Sequence, residues 1–101
     1  MASLGAVLRS TIRNLEAIRD KQNPPSKVVL EQIDTLDKQL IALIDASIQN
    51  TTPKYIAAAN SMTEAADKSQ QAINDLAKVA DTIAKVAVAI QKVSELLTSV
   101  V

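Results

Sequence analysis

The chain has 101 residues, with 16 Ala, 10 Leu, 10 Ile and 9 Val but a single aromatic residue, Tyr55, and its 11 basic residues balance 11 acidic ones. That aliphatic content supports one small core in a single domain and excludes a disordered chain. With no Cys, no His and one glycine, Gly5, disulfide scaffolds, Cys/His zinc sites, imidazole catalysis and phosphate-cradling loops are also excluded.

Apolar residues recur at spacings of three and four throughout, among strong helix formers, so an all-α fold is expected. Two polar stretches carry proline and divide the chain, Gln22–Ser26 and Asn50–Pro53. The first helix is expected over about 3–21, with Leu4, Val7, Leu8, Ile12, Leu15 and Ile18 as its apolar stripe. Gly5 weakens its first turn.

The second helix, about 26–49, takes Ser26 as N-cap. Val29, Ile33, Leu36, Leu40, Leu43 and Ser47 step by four and three, a coiled-coil-like seam, and Ile41, Ile44 and Ile48 add a second flank.

The third segment opens with Thr52 as N-cap and Pro53 in the first turn. No Gly or Pro follows, so one long helix over 53–101 is expected, with a capping box at Ser61–Glu64 marking a possible break near 60. Its seam runs Met62, Ala66, Ser69, Ile73, Leu76, Ala80, Ile83, Ala87, Ile90, Ser94, Leu97 and Val101.

Such a helix measures about 73 Å, as long as the first two laid end to end. Helix 1 is therefore expected to continue in line with helix 2, giving an extended hairpin or three-helix bundle. Homodimerisation would complete it as a four-helix-like bundle. The alternative is a broken third helix folded into a compact monomer. The interface, with a second copy or with another partner, is assigned to Ile73, Leu76, Val79, Ile83, Val86, Ile90, Val93 and Leu97.

Residues 1–27 carry a net charge of +3 and the remainder −3. Zero overall charge and one aromatic make nucleic acid a poor partner. The richest acidic group, Glu31, Asp34, Asp37 and Asp45, lacks the His of bundle metal sites and lies opposite the seam, so it reads as a solvated face. Asp34–Lys38, Glu64–Lys68 and Asp81–Lys85 are spaced as i, i+4 ion pairs. No catalytic residue, metal or cofactor is therefore expected.

Tyr55 is expected to cap the end of the core, packing on Ile48; the alternative makes Tyr55 and Met62 together an anchor in a partner interface. No leader core or transmembrane run is evident, which makes the cytoplasm the default compartment, with export lacking a cleavable leader still open. The expected function is a non-catalytic helical assembly module. The alternatives are a membrane-active, pore-forming-like helical protein or toxin component using 76–101, and an accessory helical subunit or chaperone of a larger partner; beside a second copy, a helical protein is the other partner class expected.

Overall fold

The computed structural model describes residues 3–46 and 52–99, except for the side chains of Asp45 and Ala46. Among these residues the fold is all-helical, with α1 Leu4–Lys21, α2 Lys27–Ala46, α3 Pro53–Asn74 and α4 Val79–Ser99. The expectations resting on Ser47, Ile48, Gln49 and Val101 lie outside the described residues.

Side-chain caps set the helix starts. Ser3 accepts from the Ala6 amide at 3.2 Å, Ser26 from Val29 at 3.4 Å and Thr52 from Tyr55 at 3.3 Å, each sparing a first-turn N–H that has no partner within its helix. Ser26 and Thr52 thus cap as their positions indicate. Between α1 and α2 the Gln22 Oε1 also accepts from the Ser26 amide at 3.0 Å.

The long helix expected over 53–101 is broken, and the break falls at Asp75 rather than near 60. Asp75 takes an extended backbone (φ −150°, ψ 92°), ends α3 and turns its carboxylate onto the Ala77 amide at 3.1 Å. A three-residue 3-10 turn, Leu76–Lys78, then leads into α4. No Gly or Pro is needed, because aspartate supplies its own acceptor to the next helix's first turn. Ser61–Glu64 continues as unbroken α-helix.

The break removes the length mismatch that called for an extended hairpin. The molecule measures 40 × 22 × 18 Å, not 73 Å. Helix α1 packs on α2 and α3, and α4 packs on α2 and α3, so α1 and α4 occupy one diagonal. Two antiparallel hairpins, α1–α2 and α3–α4, therefore lie side by side with α1 parallel to α3 and α2 parallel to α4.

Polar arms fix that register. Asn14 Nδ2 donates to the Ala66 carbonyl and Ser69 Oγ, both at 3.1 Å, and Lys21 Nζ to the Ile73 carbonyl at 2.7 Å. Gln32 and Gln39 Nε2 donate to the Ile83 and Ile90 carbonyls, each at 3.0 Å. Donor and carbonyl stand 51 or 52 residues apart at all four points.

The core fills the space among the four helices. Leu8, Leu15 and Ile18 of α1, Leu36 of α2, Met62 of α3 and Val86 and Val93 of α4 are fully buried. Along α3 the buried Ala58, Ala65 and Ala72 recur every seven residues, which lets its backbone approach both neighbours closely. In α4 the buried stripe is Val79, Thr82, Val86, Ala89, Val93 and Leu96. It lies one position away from the expected Ala80–Ile83–Ala87–Ile90 line: Val79, Val86 and Val93 carry the seven-residue step of Ala58, Ala65 and Ala72 on across the turn at Asp75.

Candidate functional site

The eight residues assigned to the interface separate into three groups. Val79, Val86 and Val93 are buried within the chain's own core, while Ile73, Ile83, Ile90 and Leu97 are half-buried against it. Leu76 is exposed in the 3-10 turn. Met62 is also fully buried and belongs to the core.

The most exposed large apolar side chains among the described residues lie elsewhere, on α2. On α2, Leu30, Asp34, Asp37, Ile41 and Ile44 step by four, three, four and three, forming a strip on the side nearest α1. Ile41 and Ile44 are each 61% exposed, and Leu30 is exposed as well. Ile41 and Ile44 belong to the flank that the sequence marks beside the α2 seam, whereas Val29, Ile33 and Leu36 of the seam itself are buried.

Where this strip meets the start of α1 there is a cleft of about 340 Å³. Leu40, Leu43 and Ile44 form one wall, Ser3–Ala6 and Arg9 the other, and Tyr55 closes its end. Gly5 keeps the α1 wall low. A Cβ built there would meet only Leu40 Cδ1, at 3.9 Å. Tyr55 packs against the core and accepts a hydrogen bond from the Leu4 amide at 2.9 Å, tying the start of α3 to that of α1. It caps the end of the core as expected; its suggested contact with Ile48 lies outside the described residues.

Charge is divided across the same face. Arg9 is exposed on α1 at the cleft, while the exposed Arg13 lines a groove toward α3, and neither forms an ion pair among the described residues. On α2, Glu31, Asp34 and Asp37 are exposed, with Asp34 held by Lys38 at 3.0 Å. Every carboxylate among the described side chains is at least partly exposed, and none of them forms a cluster suited to a metal ion. Lys68 pairs with Asp81 at 3.5 Å rather than with Glu64, because the α3–α4 hairpin brings Thr82 Oγ1 within 3.0 Å of the Lys68 carbonyl.

Sequence reasoning passed over Gln32 and Gln39. Both are 7% exposed, and each carries an Oε1 with no hydrogen-bond partner. Their signal was present: two amides at heptad spacing beside an apolar seam.

No family model matches the chain, and neither a curated protein nor a solved structure shows significant similarity to it.

Proposed function

We propose that this chain is a non-catalytic helical interaction module, working through helix–helix association on the outer face of the α1–α2 hairpin. The carrying observation is the pair Ile41 and Ile44, exposed one turn apart on α2, with Ile44 also lining the cleft beside the start of α1. Covering a side chain of that size stabilises by about 1.5–3 kcal/mol, so two of them give a partner helix a strong incentive to dock. A non-catalytic role is supported by the scattered, exposed carboxylates and by the lack of His and Cys in the sequence. The membrane-active alternative has less support. Releasing α4 to lipid would extract Val86, Ala89, Val93 and Leu96 from the core, and no helix among the described residues is long and apolar enough to cross a bilayer.

The test is site-specific photo-crosslinking in the native host, with the reactive side chain at position 41 or, as a control, at the exposed Val88 of α4. Strong adducts from 41 and few from 88 are expected. Equal labelling from both positions, or none from 41, would overturn the reading.

A further inference from the structure

We propose that the partner on this face is a second copy of the same chain, docked about a two-fold axis parallel to the bundle. This rests on the interaction reading above and adds the partner's identity and orientation.

The argument is one of level and charge. Within one copy a Cβ at Gly5 would stand 3.9 Å from Leu40 Cδ1, and the hydrogen bonds of Asn14 to Ala66, Thr82 to Lys68 and Gln32 to Ile83 carry the level of α1 through α3 and α4 to α2, so level residues of α1 and α2 have numbers that add to about 45–48. Arg9 is therefore level with Asp37, and the Leu4–Gly5 end of α1 is level with Ile41 and Ile44. A two-fold axis along the bundle preserves level while laying α1 of each copy antiparallel on α2 of the other. Arg9 then faces the partner's Asp37, and the low wall at Gly5 faces the partner's Ile41.

The face is self-complementary in both respects, as a closed symmetric pair requires. The other in-plane two-fold axis, across the helices, sets α1 on α1 and α2 on α2, placing arginines against arginines and aspartates against aspartates. Electrostatic complementarity selects the first arrangement.

Size sets the strength of the pairing. From Leu30 to Ile44 the strip runs about 21 Å, and two helices are about 20 Å wide, so the face projects roughly 400 Å². A standard interface uses about 800 Å² per partner, which makes this a reversible, concentration-dependent dimer.

Sedimentation equilibrium across a wide concentration range is the experiment, with the 10.8 kDa chain expected to approach twice that mass. Ile41→Asp should raise the dissociation constant at least about tenfold with helicity unchanged, since it buries an unpaired charge in the contact. Arg9→Glu and Asp37→Arg should each weaken self-association. Mixed together, these two single variants should pair with each other, because both opposed contacts then join unlike charges. A chain monomeric at every concentration overturns the proposal, while labelling from position 41 by a different protein would leave the interaction reading standing. A dimer indifferent to Ile41→Asp, or single variants that fail to pair on mixing, also overturns it.

Discussion

Replacing Gly5 by alanine should move two properties in opposite directions. Gly5 is the second residue of α1 and has no positive φ, and an added Cβ would make only an ordinary contact, 3.9 Å from Leu40 Cδ1. Restricting the unfolded chain contributes about 0.4–1 kcal/mol where the native backbone suits alanine. A buried methylene contributes about 0.8 kcal/mol, and a methyl half-covered on the cleft wall about half of that. The total is about 1 kcal/mol, which in a domain of this size raises Tm by about 4–8 °C.

The same methyl occupies space offered to the partner's Ile41. Overfilling a packed contact costs about 1–3 kcal/mol, and the proposed two-fold pair contains the contact twice, so self-association should weaken by at least about 30-fold. Thermal unfolding followed by circular dichroism, at a concentration where the chain is monomeric, reads the first effect; sedimentation reads the second. A lower Tm would refute the steric reading of Gly5. A higher Tm with unchanged association would remove Gly5 from the interface.

Three further substitutions probe the frame. Tyr55→Phe removes the phenol that accepts from the Leu4 amide and should cost about 1 kcal/mol in urea denaturation. Asp75→Ala removes the acceptor from the Ala77 amide and should cost about 1 kcal/mol; faster hydrogen exchange should appear first at residues 76–79. Gln39→Leu gives up hydrogen bonds to Ile90 and Ser94 but also removes a buried oxygen without a partner. With apolar burial added, it should raise stability by about 1 kcal/mol, and a loss of stability in urea denaturation would contradict that sum.

The helical class, the caps at Ser26 and Thr52, and the buried faces of α1 and α2 were legible because each rests on local chemistry or on a single strong period. The α3–α4 break was not. Asn74-Asp75 carries neither glycine nor proline, and the signal is one carboxylate that finds its acceptor role only after the chain has turned. The buried seven-residue step runs on from Ala58, Ala65 and Ala72 to Val79, Val86 and Val93, whereas the seam expected from the sequence takes the position after each from Ala66 onward, which sets the exposed Ala80, Ala87 and Ser94 on it. In α4 two adjacent stripes are both apolar, so periodicity alone left the choice between them to the neighbouring helices. The candidate face was half visible: Ile41 and Ile44 stood out as surplus to the α2 seam, whereas the cleft beside them depends on where α1 comes to lie.

Two hairpins stacked in parallel are related by translation, and translation has no built-in end: a third rung could add to either side. The far side of α3–α4 discourages this, because Lys68 and Asp81 already hold each other across its surface and Lys92 reaches Glu95 at 3.8 Å. A rung settling there would have to strip water from all four charges. The α1–α2 side carries the Asp34–Lys38 pair, but beside it Ile41 and Ile44 leave more apolar surface open than any pair of side chains on α3 or α4. The chain is thus a two-rung ladder with one sealed side and one open side, and such an object stops growing as soon as two open sides meet. Fibres would require the seal to fail, so the exposed ion pairs of α3 and α4, which contribute little to folding, are where a single apolar substitution would make unlimited stacking accessible.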